Sequence, residues 1–338
     1  MLRKNILIAL VLILIAGLVL GCSSEKPQAN DKEGAEAQEE IVLKGVTAWP
    51  KIEKSNAGFF ALQEKVNEMG KGKVRIEYLG GSEVVPTMEL INATKDGTVD
   101  IGWMSAGYTV SNVPAANAIK LSKFTPQEER ENGVYDLYNE MFHEQANAHL
   151  LGRGMPGVEF HLYTTKDVKS INDLAGMSIR VTASYKDFAT DLKASPVMIP
   201  PGDVYTALER GVADAYGWTE HGIVDWGWEE LTKNVIDPGF YQVDTFGLMN
   251  LDKWNSLPDD VKEILINAAI EVEKEMPAYY EELFQKDREL LAEKGIEVVS
   301  LNDKEAKQYV DMAYEAVWNE VLKTAPKYGE KVKELLTQ

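Results

Sequence analysis

From Ile41 onward, short extended apolar runs alternate with segments whose apolar residues recur every three or four positions, the pattern of α/β architecture. Ile41–Ala48 reads as a strand. Phe59, Leu62, Gln63, Val66 and Met69 follow at helical spacing, and Gly70 ends that helix. Val74, Ile76 and Tyr78 alternate as in a strand. A helix after Pro86 carries Met88, Ile91 and Thr94 and stops at Gly97, and Val99–Met104 reads as a buried strand. A longer helix is predicted over Pro126–Ala148, with Val134, Leu137, Met141 and Phe142 on one face. Strands follow at His149–Arg153 and Val158–Thr164. The second places Val158, Phe160 and Leu162 on one face and Glu159, His161 and Tyr163 on the other. Ser178–Thr182 is a short strand, Gly202–Arg210 a helix and Val212–Trp218 a strand. Val243–Leu251 reads as a long strand able to cross between two lobes.

The most periodic segment is Leu257–Lys294, where Val261, Leu265, Ala268, Val272, Met276, Tyr280 and Leu291 keep helical spacing. Ser256 with Asp259 predicts a capping box, Gly295 a stop, and Pro277 a kink. A helix of roughly 37 residues spans about 55 Å, more than one domain, so it is expected to brace two lobes. A last helix is expected over Lys304–Lys323.

The N-terminus follows a different rule. Arg3 and Lys4 precede an apolar run from Ile6 to Leu20, and Gly21-Cys22-Ser23-Ser24 follows. A basic start, a short apolar core and small residues predict a signal peptide over residues 1–21; the competing reading is an uncleaved anchor helix. Val19-Leu20-Gly21-Cys22 resembles the bacterial lipobox, which implies lipidation of Cys22 and a bilayer anchor. Residues 22–40 have no large apolar side chain and are expected to form a disordered tether. Roughly 300 residues remain, enough to suggest two lobes. The body of residues 41–338 divides into lobe I, approximately 41–160 plus part of 246–295, and lobe II, approximately 164–245 plus the C-terminal helices. The expected location is exported, anchored on the outer face of the cell membrane or in the periplasm.

Composition narrows the chemistry. Cys22 is the only cysteine, so intrachain disulfides are excluded, and with Cys22 lipidated the mature fold carries no thiol for catalysis. A formal charge of −19, made more negative by loss of Arg3 and Lys4, argues against nucleic acid as a partner. In so acidic a chain, an anionic ligand needs a specific cationic anchor. Gly152-Arg153-Gly154-Met155-Pro156-Gly157 is literally a dinucleotide fingerprint, but Pro156 and a strand follow it where a helix is required, so it reads as a turn. His143, His149, His161 and His221 form no metal-ligand spacing, and no nucleophile elbow occurs. No catalytic residue, metal or cofactor is expected.

One internal echo carries information. Asp96-Gly97-Thr98-Val99-Asp100-Ile101-Gly102-Trp103 resembles Arg210-Gly211-Val212-Ala213-Asp214-Ala215-Tyr216-Gly217-Trp218. Each copy ends a helix at glycine and delivers Gly-Trp at the carboxyl end of a strand, where open α/β sheets bind ligands. Trp103 and Trp218 are therefore expected to face one cleft, the alternative being two ordinary core residues. Trp49, after the first strand, is a third candidate for an aromatic wall.

In Asp173-Leu174-Ala175-Gly176-Met177-Ser178-Ile179-Arg180-Val181, a turn leads through glycine into a short strand ending on arginine. A guanidinium there can grip a carboxylate, or it can be a surface residue or half of an ion pair. This stretch resembles the signature of the TRAP-transporter solute receptors of the DctP type. Asp96–Gly102, Ala207–Asp214 and Trp254-Asn255-Ser256-Leu257-Pro258 are similar to further motifs of that family in the right order, over about residues 41–325. The resemblance implies a two-lobed, periplasmic-binding-protein-like α/β fold with crossing strands and a long bracing helix. It implies capture of a small organic acid, delivery to a TRAP permease and no catalysis. The family's carboxylate-binding arginine falls on Arg180, and its contact segment near Tyr216–Glu220. Glu220 and His221 can bond a polar group of the ligand or sit on a solvated helix start.

There are two departures from the family pattern. Glu159 and His161 stand where many members carry a second basic residue, which weighs against a sugar acid. Gly217 stands where the 2-oxo-acid branch often has a cation-binding glutamate, so no metal is expected. The aromatics suggest a monocarboxylate with an apolar or aromatic body. The competing functions are a surface-anchored enzyme and a sensory or adhesive lipoprotein on the same fold.

Overall fold

The computed structural model describes residues 39–220 and 222–337; the predicted signal peptide, Cys22, the tether through residue 38 and His221 lie outside the described residues. Two mixed sheets organise the chain. The five-stranded sheet 1 joins β1 (Ile41–Thr47), β2 (Val74–Gly80), β3 (Ile101–Ser105), β4 (Ala148–Arg153) and β11 (Thr245–Asn250) in the order β2-β1-β3-β11-β4. The seven-stranded sheet 2 joins β5 (Glu159–Thr164), β6 (Ser178–Val181), β7 (Ser195–Met198), β8 (Ala215–Thr219), β9 (Asn234–Asp237), β10 (Tyr241–Gln242) and β12 (Glu297–Ser300). Its order is β12-β9-β5-β8-β6-β7, with β10 on β5. The helices are α1 (Ala57–Met69), α2 (Leu90–Lys95), α3 (Pro126–Glu131), α4 (Val134–Ala146), α5 (Lys186–Asp191), α6 (Val204–Glu209), α7 (Leu251–Ser256), α8 (Asp259–Glu293), α9 (Asp303–Thr324) and α10 (Gly329–Leu336). This is the two-lobed α/β fold that the resemblance implied. Among the described residues, no helix is long and apolar enough to cross a membrane.

The sequence echo is a structural repeat. After α2, Asp100 N–H donates to the Lys44 carbonyl at 2.9 Å while its Oδ2 accepts from Lys44 N–H at 2.7 Å. After α6, Asp214 makes the same pair with Ser178, at 2.7 and 3.1 Å. The carbonyls repeat it too: Asn250 N–H donates to Asp100 and Thr165 N–H to Asp214, each at 2.9 Å. Each lobe therefore locks a helix–glycine–strand unit to a parallel and an antiparallel neighbour through one aspartate.

Two segments cross between the sheets side by side. One links β4 to β5, the other β10 to β11. Gly154 N–H donates to the Thr245 carbonyl and Val243 N–H to the Val158 carbonyl, both at 2.8 Å, so the crossing is itself a short antiparallel pair.

Helix α8 runs unbroken through Pro277 to Gly295, whose φ of 79° makes the stop. It is tied to sheet 1 by charge. Glu273, 5% exposed, receives Arg130 at 2.8 and 3.0 Å and Arg153 N–H at 2.8 Å. Arg153 Nη1 in turn bonds both oxygens of Glu129, at 2.8 and 3.0 Å. The glycines of the apparent dinucleotide motif serve this packing. A Cβ on Gly152 would lie 2.8 Å from Glu273 Oε1, and one on Gly154 2.3 Å from Trp103.

Three expectations need correction. The helix over Pro126–Ala148 is two helices, because Gly133 takes φ 86° between them and Ala148 already belongs to β4. The Ser256–Asp259 capping box does not form: Ser256 Oγ donates to the Lys253 carbonyl at 2.7 Å, closing α7, and Pro258 stands at the start of α8. β7, β9, β12 and α10 were not anticipated; β7 and β12 are edge strands with little buried side, so period-two alternation is missing.

Glu273→Ala is expected to destabilise the fold by roughly 3–5 kcal/mol, because Arg130 and the Arg153 N–H lose a buried partner. Glu271→Ala, which removes an exposed partner of Lys65, is expected to cost about 0–1 kcal/mol. Urea unfolding of both variants checks this, and equal losses would contradict the anchoring role.

Candidate functional site

The carboxyl ends of β1, β3, β6 and β8 converge on one cavity of about 50 Å3 between the sheets. Trp49, Ser105 and Tyr108 border it from the sheet 1 side; Phe160, Arg180, Tyr185 and Trp218 border it from sheet 2. The crossing segment contributes Tyr241–Thr245. This is where open α/β sheets present strand ends and the loops beyond them.

Arg180, on β6, is fully buried. Its Nε donates to the Ile199 carbonyl at 2.8 Å and its Nη1 to the Tyr185 hydroxyl at 3.1 Å. The Tyr185 hydroxyl donates onward to the Arg180 carbonyl at 3.0 Å. The guanidinium carbon lies 5.7 Å from the centre of the Trp218 ring, within reach of a cation–π attraction. Nη2 has no hydrogen-bond partner, and no carboxylate pairs with Arg180 among the described residues. Trp49 Nε1 and Trp218 Nε1 are likewise buried without a partner. Among the described residues bordering the cavity, Thr245 Oγ1 is a fourth orphaned polar atom, a hydroxyl able to donate or accept, beside these three N–H donors.

Gly217 makes this arrangement possible. A Cβ there would sit 2.9 Å from the Tyr185 ring and 2.8 Å from Phe160. The space a side chain at position 217 would take is occupied by the Tyr185 ring, whose hydroxyl orients the arginine.

A second buried cation was not anticipated. Lys120 is 1% exposed, in a buried 3-10 helix over Pro114–Leu121. Its ammonium donates to Ser184 Oγ and, at 2.5 Å, to Asn117 Oδ1, and it lies 3.7 Å from Asp244. Burial lowers its pKa, against the opposing pull of Asp244. Asp244 also accepts from Ser105 Oγ at 2.5 Å. Lys120 is therefore matched by protein groups, whereas Arg180 is not.

A latch closes one side. Lys54 N–H donates to Asp225 Oδ2 at 3.1 Å, and its ammonium reaches Asp287 at 3.3 Å and Asp225 at 3.4 Å. Gly222 N–H donates to Asp287 at 3.1 Å. The loop after β1, the loop after β8 and helix α8 thus meet. Beside them, Glu53 is 2% exposed and accepts from Ser55 N–H and Oγ at 2.8 and 3.0 Å. Burial pushes its pKa up to about 8 despite those bonds.

The structure brings Arg180, Trp49 and Trp218 to the cavity but not Trp103, Tyr216 or Glu220; His221 lies outside the described residues. Trp103 is a core residue whose Nε1 donates to the Ser55 carbonyl at 3.1 Å. The cause is one residue of register. Superposing Asp100 on Asp214 sets Trp103 against Gly217 and Met104 against Trp218, and a one-residue slip along a strand reverses the face. Tyr216 is also core: it stacks on Tyr163 at 5.2 Å and its hydroxyl pairs with Thr232 at 2.6 Å. Glu220 lies past the end of β8, against His161 at 3.2 Å and away from the cavity. Tyr185 and Asp244 join Lys120 as site residues that the sequence reading missed. Tyr185 lies five positions after the arginine and is recognisable only once β6 turns back on itself.

The chain is similar to known proteins in sequence and in fold. Residues 46–324 match the bacterial extracellular solute-binding proteins, family 7 (DctP). The chain is 26% identical over 250 residues, 70% of its length and 67% of the relative's, to a monocarboxylate 2-oxoacid-binding periplasmic protein of Nostoc sp.. Among solved structures, it is similar to a TRAP solute-binding protein of Desulfovibrio salexigens with bound orotic acid (TM-score 0.79, 19% identity, 88% of this chain and 98% of that one). It is also similar to one of Bordetella bronchiseptica with calcium and picolinate in its active site (TM-score 0.78, 23% identity, 89% and 93%).

Glu53 generates a pH prediction. Its pKa is raised on folding, so its contribution to stability is fully present below about pH 4.5 and is lost as pH rises towards about 8. Wild-type thermal stability is expected to fall across that window, and Glu53→Gln to flatten the fall. Melting curves across the window check it; an identical pH profile for the variant would contradict the assignment.

Proposed function

The chain belongs to the bacterial extracellular solute-binding proteins of family 7, the DctP family, and on that premise we propose that its cavity captures a small monocarboxylate for a TRAP permease. The observation that carries the reading is Arg180 Nη2, a buried cationic donor with no partner, flanked by two unpartnered indole N–H groups. A carboxylate supplies acceptors for all of them and the counter-charge the guanidinium lacks.

Charge supports one carboxylate rather than two. Lys120 and Asp244 offset each other, which leaves Arg180 as the cavity's unmatched charge. The Lys120–Ser184–Asp244 end then offers hydrogen bonds to an oxo or hydroxyl oxygen. Size points the same way. A cavity of 50 Å3 accommodates roughly four waters, so the closed form fits an acid of few heavy atoms. Trp49, Tyr108, Phe160 and Trp218 favour a flat apolar body. The acids named for the three relatives above, a 2-oxoacid, orotic acid and picolinate, are all monocarboxylates.

Binding requires the lobes to part, which the paired crossing strands permit, and to close on the latch. The work is capture and handover, without bond chemistry at the site. At the other end, Cys22 carries the lipid after removal of residues 1–21. The tether then holds the receptor beside its permease at high effective concentration.

Calorimetric titration with a panel of small organic acids tests the ligand class. Arg180→Ala is expected to weaken the best acid by about 2–5 kcal/mol, the scale for removing one partner of a buried charged pair. Unchanged affinity would overturn the anchoring role, and turnover of the bound acid would favour an enzyme. For the anchor, Cys22→Ser is expected to move the chain from the detergent phase to the aqueous phase in detergent partitioning. A wild-type chain already in the aqueous phase would contradict lipidation.

A further inference from the structure

A second cluster lies on the face of sheet 2 turned away from the cavity. On β5, Phe160 borders the cavity while Glu159 and His161 project to the other side, where Glu220 meets them. The ligating atoms of Glu159, His161 and Glu220 all lie within 4.8 Å of one another. We propose that these three residues form a site for one divalent transition-metal ion of the zinc type.

His161 is 3% exposed, and its Nδ1 lies 2.8 Å from the Ile236 carbonyl. A carbonyl only accepts, so Nδ1 carries the hydrogen. Nε2 is left facing Glu220 Oε1 at 3.2 Å and Glu159 Oε2 at 3.8 Å. In a neutral ring, Nε2 and two carboxylate oxygens then converge as acceptors; Gly239 N–H donates to the Glu159 carboxylate, and a bound cation would relieve the remaining repulsion. A backbone carbonyl fixing one ring nitrogen while the other is presented to carboxylates is the usual support of a metal-ligating histidine. An imidazole with two carboxylates is a donor set that suits zinc.

Charge distinguishes a metal from a proton. Two carboxylates are balanced by one divalent ion, whereas a protonated His161 leaves one negative charge over. The surroundings add little: Asp237 borders the adjoining cavity but lies 3.7 Å from Arg288.

There is room and access. Gly239 packs on the cluster, where a Cβ would stand 2.7 Å from Glu159 Oε2 and 3.1 Å from His161 Nε2. The Gly239 backbone packs there without a side chain, its N–H on the Glu159 carboxylate. His161 and Glu220 also border a cavity of about 210 Å3 beside Phe284 and Leu291 of α8, which can supply water as a further ligand. These residues are separate from Gly217, so the site does not depend on the organic-acid reading. Glu220 stands two residues before Gly222, whose N–H is held by α8, so a bound ion would fix the start of the latch loop.

The test uses the purified full chain, stripped with chelator and titrated with zinc chloride. One zinc per chain is expected. Glu159→Gln, a half-exposed position that should not disturb folding, and His161→Gln are each expected to weaken uptake about tenfold or more. His143→Gln, in the separate pair with His149, is expected to leave it unchanged. Absence of stoichiometric uptake, with His161 doubly protonated by nitrogen NMR at neutral pH, would overturn the proposal. So would zinc uptake that both cluster variants leave intact.

Discussion

The structure turns on one buried charge without a protein counter-charge. A guanidinium taken out of water is expensive unless it is paired, and Arg180 is fully buried with no carboxylate partner among the described residues. Part of the penalty is offset by two hydrogen bonds and by the face of Trp218. Those contacts also fix direction. With Nε on Ile199 and one Nη1 hydrogen on Tyr185, Nη2 is the guanidinium nitrogen left without any partner for a group from outside the chain. The demand reaches into the sheet, since Gly217 must lack a side chain for the Tyr185 ring to lie where it does.

On the proposed reading, the two lobes complete and release that arrangement. Each is built on the same helix–glycine–strand unit, pinned by Asp100 in one and Asp214 in the other. Each unit delivers a strand end to the same gap. The paired crossing segments join the sheets through few bonds, whereas the latch at Lys54, Asp225 and Asp287 and the long helix α8 span them with charge. A hinge of two strands beside a breakable electrostatic latch is the structure expected of a receptor that opens and closes. The buried ion pairs of Glu273 and Glu129 keep α8 fixed to one lobe while its distal end meets the latch.

Much of this was legible in the sequence because it is local. The helix stops at Gly97 and Gly211, the aspartates of the repeat, the periodicity of α8 and the arginine ending β6 each depend on spacing within one segment. The residues that were missed depend on distance between segments. Lys120 sits in a short buried 3-10 helix with no pattern of its own, and its meaning comes from Asp244, far along the chain. Trp103 was assigned to the cleft because the Gly-Trp pairs look alike. One additional residue in the second copy reverses the face, which only the paired register reveals. Glu220 was a candidate because the family's contact segment falls near Tyr216–Glu220, the alternative being a solvated helix start; it turns towards His161.

The account stands or falls on where the ligand's carboxylate goes. A crystal structure of the receptor with its tightest-binding organic acid tests this most directly. The account predicts a carboxylate oxygen within hydrogen-bond distance of Arg180 Nη2, the acid's body against Trp218, and Lys120 still held by Ser184 and Asn117. An acid whose carboxylate rests on Lys120 or outside the cavity, with Arg180 Nη2 untouched, would contradict it.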